Sequence, residues 1–354
     1  MKQQGAAFVA CGAAWIVIDS GASARTARAL AAYGLGAVVP AALTCLAMAA
    51  GGAFAPFWFW TITYAGEYAT MVDTATGLGE LRRQTGIILG AAPLLWLLAA
   101  VGVASTAGRD VDRRTAWRLV TLAVASALAV APGLRFTEHY FLLLVPAVAL
   151  LAGAGSAALA RWAAAHRLPA GVATAVPILA MGHALLHERD TLFLRSPVET
   201  VRAVYGANPF PEAVTIAREL ASRTGVDERI AVIGSEPEIY FYARRRAATT
   251  YIYMYPMMEP QPFAHQMQDE MIAQLEAARP RFLVLVNVDT SWSRRAGSSL
   301  KLLDWAATTV DAHYRPVGLV EIMPGQPTRY VWGDAAAAMP RSQAHVTVFE
   351  RLPS

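Results

Sequence analysis

The chain has 354 residues, of which 55% are hydrophobic and only 16% charged, with a mean hydropathy of +0.36. That balance is too apolar for an ordinary water-soluble enzyme and points to a membrane protein. A net charge of +4 and a pI near 9.2 do not signal nucleic-acid binding, because many arginines stand in short loops between apolar runs, not beside aromatics on a soluble face.

A spanning helix needs about 20 mostly apolar residues. Six stretches approach that length: 5–20, 31–51, 86–106, 115–132, 138–155 and 168–187. The first is expected to be retained, since only Lys2 precedes it and no clear small-residue cleavage pattern follows. Both cysteines, Cys11 and Cys45, fall inside these segments as packing residues, which leaves the second half without a disulfide framework or cysteine metal site.

Between the second and third stretches lies a longer loop, 52–85, opening with "AFAPFWFWTITYAGEYATM". Its aromatics suit a bilayer interface and Pro56 argues against an uninterrupted span, so a helix near the outer surface is predicted. Two readings are open: an aromatic belt that anchors the bundle, or one wall of a ligand groove built from Tyr64, Glu67 and Tyr68.

Loop charges set the orientation. Arg25, Arg28, Arg109, Arg113, Arg114, Arg118, Arg161 and Arg167 occupy the odd-numbered loops, against Arg82, Arg83 and Arg135 in the even ones. The positive-inside rule then places the odd loops in the cytoplasm. The loop 52–85, the "RFTEH" corner and the C-terminal domain share the outer face.

From His187 the pattern becomes that of an α/β domain. "PEAVTIARELASRTG" has helical apolar spacing, "RIAVIG" reads as a buried strand, and "EPEIYFYARRR" resumes a helix. "TTYIYMY" is β-prone, "PFAHQMQDEMIAQLEAARP" is an amphipathic helix stopped by Pro280, and "RFLVLVNV" is an apolar strand. A helix over 298–312 precedes the strands "GLVEIM", "RYVWG" and "HVTVFER", with "GDAAAAMPRSQAH" as a mobile loop. Alternating elements imply a partly parallel sheet finished by an antiparallel portion. The predicted fold is an α-helical polytopic membrane domain, 1–187, followed by a soluble extracytoplasmic α/β domain, 188–354.

Several residues invite chemistry and have plainer readings. The glycine of "IAVIGSEPEIY" is an ordinary strand-to-helix turn, since a dinucleotide fingerprint needs further glycines. Gly77 and Gly79 match no phosphate loop and read as a flexible connection. His183 and His187 have metal-compatible spacing but no third ligand, so no metal site is expected. Ser235 lies outside any nucleophile elbow. Tyr240, Tyr242, Tyr251, Tyr253 and Tyr255 either stack on sugar or pack against the membrane domain along a strand, and Arg244, Arg245 and Arg246 form a solvated basic face.

The most informative stretch is "RFTEHYFLLLVPAVALLAG", where Arg135, Glu138 and His139 abut an apolar run. A charge at mid-bilayer costs roughly 2.5–3.5 kcal/mol, but at a helix edge long side chains reach headgroups or water. The group is either an interfacial corner that sets helix depth or an inward-facing site where arginine's fork and a histidine donor meet an anionic lipid headgroup.

This stretch resembles the His-Tyr helix late in the membrane domain of family 39-type glycosyltransferases of the C superfamily. "ERIAVIGSEPEIYFYARRRAATTYIYMYP", "ARPRFLVLVNVDTSW" and "HYRPVGLVEI" are similar in order and spacing to the extracytoplasmic tail of bacterial members, and "MKQQGAAF" to their helix opening. The resemblance implies a multi-pass protein of the cytoplasmic (inner) membrane. It would take a hexosyl or pentosyl unit from a polyprenyl-phosphate carrier and transfer it to an acceptor hydroxyl at the outer face. Complete members begin with further helices and an early acidic loop used in catalysis, so the chain is expected to correspond to the C-terminal half, with a separately encoded N-terminal half as a partner. Phosphate binding falls to Arg135 and His139, and sugar or acceptor contact to Tyr140, Glu138, Glu67 and Tyr68; no catalytic base is assigned. A divalent cation is allowed, not required. The expected partners are membrane lipid and the polyprenyl-phosphate-linked sugar, and nucleic acid is not among them. The rival readings are a non-catalytic carrier-binding or assembly module, and a transporter, for which paired broken helices and a buried acidic relay are missing.

Overall fold

The computed structural model describes residues 3–108, 111–323 and 325–353; Lys2 and Arg109 lie outside the described residues. The chain separates into two compact units, and the break follows Leu194, past the expected boundary at His187.

The first unit is helical. Among the described residues two helices are long and apolar enough to cross a membrane, Ala24–Ala50 and Glu138–Ala165. The second begins as a 3₁₀ segment, Glu138–Leu144, and continues as the α-helix Val145–Ala165. The expected span 86–106 is not one straight element. The helices Thr74–Ala91 and Pro93–Thr106 meet at a bend of 101°. Pro93 causes it, because proline drives the preceding residue out of the helical region, and Ala92 sits at φ −142°, ψ 55°. Ala6–Ser20 and Ala170–His187 are apolar but shorter. Arg113–Val130 carries Arg113, Arg114 and Arg118 inside its first turns, not in the preceding loop. Its start is capped by Asp112, whose carboxylate accepts from the Arg114 and Thr115 backbone N–H groups at 3.1 and 3.0 Å.

The expected loop 52–85 is helical almost throughout. Phe54–Trp58, a π turn over Phe59–Thr63 and Tyr64–Thr70 run on from one another, and Thr74–Ala91 follows, capped by Asp73. Pro56 is accommodated because it lies in the first turn, where its missing N–H has no partner to lose. Gly77 is therefore not a flexible connection. It is buried in a helix, and a Cβ there would stand 2.7 Å from the Leu134 Cβ, so only glycine admits the 133–137 segment this close.

Polar bonds and close backbone crossings tie helices of this unit together. Arg118 pairs with Asp19 at 2.5 Å and the Trp15 indole donates to the Thr121 hydroxyl at 3.0 Å, joining Ala6–Ser20 to Arg113–Val130. Pro93–Thr106 and Val145–Ala165 cross backbone to backbone: a Cβ on Gly102 would overlap the Leu151 carbonyl, and one on Gly155 the Leu98 carbonyl. Leu98, Ala99, Leu151, Ala152 and Ala180 fill that crossing. Small residues let the two helices approach this closely and gain van der Waals contact.

The second unit carries a six-stranded sheet in the order β2-β1-β3-β6-β4-β5, with β1 Arg229–Ile233, β2 Arg246–Ala247, β3 Phe282–Asn287, β4 Tyr314–Glu321, β5 Arg329–Trp332 and β6 His345–Arg351. β1 is parallel to both β2 and β3; the remaining pairs are antiparallel. Helix Phe210–Arg223 buries Ala213, Ile216, Ala217 and Leu220, its helical stripe, against Ile230, Val232, Phe282 and Val284.

Three local expectations fail here. "TTYIYMY" is not a strand: the Thr249 hydroxyl and Thr250 N–H both donate to Gln274 at 2.8 Å and the Met254 N–H to the Ser235 hydroxyl at 3.0 Å, so side chains take the bonds a ladder would need. The segment "GDAAAAMPRSQAH" is pinned. Buried Glu321 accepts from the Arg341 N–H and the Arg329 guanidinium, and the Ser342 hydroxyl donates to the Ile322 carbonyl at 2.6 Å. Arg245 is not a solvated cation, since its guanidinium donates to the Thr224 hydroxyl at 2.8 Å and to the Thr224 and Ala221 carbonyls at 2.6 and 3.0 Å.

Candidate functional site

The corner before helix Glu138–Ala165 has an unusual backbone. Gly133, Leu134 and Phe136 all have left-handed φ values, 78°, 50° and 42°. For the two non-glycine residues this costs on the order of 1–3 kcal/mol each, a strain that has to be held by its surroundings. Phe136 does so by burying its ring with Phe141, Val130 and the half-buried Leu81 and Ile88. Leu134 does so by sitting on Gly77.

Between these two anchors Arg135 is half-buried, and its guanidinium carbon lies 3.6 Å from the centroid of the Tyr68 ring. One of its terminal nitrogens donates to the Met71 sulfur at 3.3 Å. A guanidinium carbon this close to a ring centroid makes a cation–π contact, which places the arginine's charge against the Tyr68 ring. Tyr68 ends a ladder at helical i, i+4 spacing: Trp60 meets Tyr64 edge-on at 5.2 Å, and Tyr64 meets Tyr68 at 6.3 Å. A π turn, Phe59–Thr63, lies within this run.

The six sequence-predicted residues therefore divide. Arg135 and Tyr68 come together. His139 and Tyr140 form their own edge-on pair at 4.7 Å, with His139 exposed and Tyr140 half-buried. Glu138 is exposed, and Glu67 is half-buried one position before Tyr68. No group of three or more His, Cys, Asp or Glu capable of holding a metal occurs among the described residues.

Sequence reasoning passed over an acid in the second unit. The turn after β1, read as ordinary, folds the Glu236 carboxyl back over Gly234 against β3, and Glu236 is 2% exposed. A Cβ at Gly234 would stand 2.6 Å from Val286, so glycine is required. The Ser291 hydroxyl donates to Glu236 at 2.9 Å and accepts from the Ser235 N–H at 2.9 Å. Burial, reinforced by the nearby Glu238 carboxyl, pushes the Glu236 pKa up to about 8 against the opposing bond from Ser291. The shift favours the protonated carboxyl toward neutral pH. The legible signal was an acid two residues past the glycine that ends an apolar strand, a place where packing rarely admits a charge.

The tyrosine series also splits. Tyr240 belongs to the core, its hydroxyl accepting from the Val232 N–H at 2.7 Å, while Tyr253 and Tyr255 stack at 4.5 Å. Compared with known protein families, curated proteins and solved structures, the chain matches none.

Proposed function

We propose that the chain is a membrane glycosyltransferase component of the family 39 type, multi-pass in the cytoplasmic membrane. In this reading it uses a polyprenyl-phosphate-linked sugar, with the second unit outside the cytoplasm. The carrying observation is the stacked, strain-held Arg135 at the entrance of a helix long enough to cross a bilayer. A membrane setting is supported by helix Ala24–Ala50, where Leu35, Val38, Leu43 and Leu46 are each at least 60% exposed, an apolar face that water penalises and lipid does not.

In transfer the acceptor hydroxyl oxygen bonds to the anomeric carbon, the bond from that carbon to the phosphate oxygen breaks, and the lipid phosphate leaves with the electron pair. Arg135 is assigned to that phosphate, because planar N–H donors match two phosphate oxygens and stabilise the charge that develops there. The base that takes the hydroxyl proton is not assigned. The test is polyprenyl-phosphate binding to the full chain in nanodiscs. Arg135→Ala is expected to weaken it at least tenfold and His139→Ala less, with unchanged thermal unfolding. Unaltered binding in a folded Arg135→Ala protein sinks the assignment, and a reporter placing the second unit in the cytosol sinks the orientation.

A further inference from the structure

The carboxyl ends of β1 and β3 are a switch point. The chain leaves β1 toward β2 and leaves β3 toward β4, which lies on the opposite side of the sheet. Diverging connections open a crevice, and α/β sheets bind ligands in it. The gap between the ends of β1 and β3 themselves is filled by Glu236 and Ser291, and a cleft of about 700 Å³ opens on the other side of β3, toward the segment entering β6, lined among others by Tyr205, Asn208, Tyr255, Asn287, Asp289 and Thr290.

Its walls are cross-braced before any ligand arrives. The Thr290 hydroxyl donates to the Asn208 side-chain oxygen, and the Tyr255 hydroxyl donates to the Thr290 carbonyl at 2.5 Å. The Arg202 guanidinium, ion-paired to buried Glu212, donates to the Asn208 carbonyl at 2.9 Å and to the Gly206 carbonyl at 3.3 Å. The Asn287 amide nitrogen donates to the Gln343 carbonyl at 3.2 Å. Those bonds leave the Asn208 Nδ2 as a donor and the Asn287 Oδ1 as an acceptor. Tyr205, 52% exposed and braced edge-on against Phe210 at 5.1 Å, offers a ring face.

The charge pattern narrows the ligand. Among the described residues no lysine, arginine or histidine lines the cleft, and its acid, Asp289, is paired with Arg294 at 3.0 Å. The cations that border it are already engaged, Arg202 by Glu212 and Arg294 by Asp289, while the His345 ring lies 3.4 Å from the Asn287 amide nitrogen, so neither an anion nor a cation meets an uncompensated arginine or acid there. Planar amides that donate and accept at fixed positions, with an aromatic face beside them, match a ring bearing vicinal hydroxyls on its edges and C–H groups on its face.

We propose that this cleft binds a neutral saccharide unit, separately from the lipid-phosphate corner. The inference stands on the second unit alone and does not depend on transferase activity. The test uses the full chain in nanodiscs, free of glycoside detergents that would compete. Saturation-transfer NMR and calorimetry are run with methyl mannopyranoside, methyl galactopyranoside and methyl arabinofuranoside. Inorganic phosphate and galacturonate are the anionic arms, and no polyprenyl phosphate is present. Saturable binding of at least one neutral glycoside is expected, weakened about tenfold by Asn208→Ala and by Asn287→Ala. Tyr205→Ala, at the exposed rim, serves where Asn208→Ala disturbs the loop. The inference is overturned by no saturable binding of any neutral glycoside, by an anion binding more tightly, or by unchanged affinity in all folded variants.

Discussion

Glu236 should make the stability of the second unit depend on pH in a window where most carboxylates are silent. Its pKa is about 8 in the folded state and returns to its ordinary 4.5 when the chain unfolds. Between these values the folded state holds a proton that the unfolded state has released. Stability is thus fully present below about pH 4.5 and lost as pH rises toward 8, by up to about 1.4 kcal/mol per pH unit. Glu236→Gln keeps the oxygen that accepts from Ser291 and removes this titration, so its profile should be shallower, the remaining slope belonging to Glu238, whose carboxyl burial also raises. Hydrogen exchange read on the amides of β1 and β3, corrected for intrinsic rates, reports the stability of this sheet apart from the first unit. Equal protection at pH 5 and pH 8, or a slope undiminished in Glu236→Gln, would refute the reasoning.

Gly234→Ala pushes a methyl into Val286 on β3 and should cost about 1–3 kcal/mol, measured as a lower denaturation midpoint. Arg202→Ala strands the carboxylate of Glu212, which is 1% exposed, and should cost about 3–5 kcal/mol; adding Glu212→Gln should recover much of it, since a neutral amide no longer needs the cation. Gly102→Val and Gly155→Val should each separate helices Pro93–Thr106 and Val145–Ala165 and lower thermal stability in nanodiscs, whereas Gly153→Val, which meets nothing within 4 Å, should be tolerated.

What was legible in the sequence had a local cause. β1, β3 and β6 announce themselves as apolar runs between turn residues, and helices Phe210–Arg223 and Ala264–Ala278 by periodicity. The arginine at the corner was legible because charge beside a long apolar run is rare. What was illegible depends on distant partners. Gly77 looks like a hinge until Leu134 is placed on it, and Arg245 looks solvated until the Thr224 carbonyl is beside it. "TTYIYMY" has strand propensity, but Gln274 and Ser235 claim its backbone from elsewhere in the chain. Pro93 did carry a local signal, yet apolar composition on both sides of it concealed the bend.

The two readings of Arg135 can be separated by one conservative change. If the residue only sets the depth at which helix Glu138–Ala165 enters lipid, charge and reach are what matter. Arg135→Lys then preserves both anchoring and any carrier affinity, because a lysine snorkels to the same interface. If the in-plane N–H edge grips a phosphate while the ring of Tyr68 supports the opposite group, lysine fails on both counts. An ammonium is a point charge without the guanidinium's planar fork, and it does not place the same group 3.6 Å from the Tyr68 ring centroid. Arg135→Lys should then bind polyprenyl phosphate more weakly than the parent though better than Arg135→Ala, whose tenfold loss corresponds to about 1.4 kcal/mol. Tyr68→Leu, which keeps bulk but removes the quadrupole, should fall between parent and Arg135→Ala. An Arg135→Lys protein with parental affinity assigns the corner to anchoring.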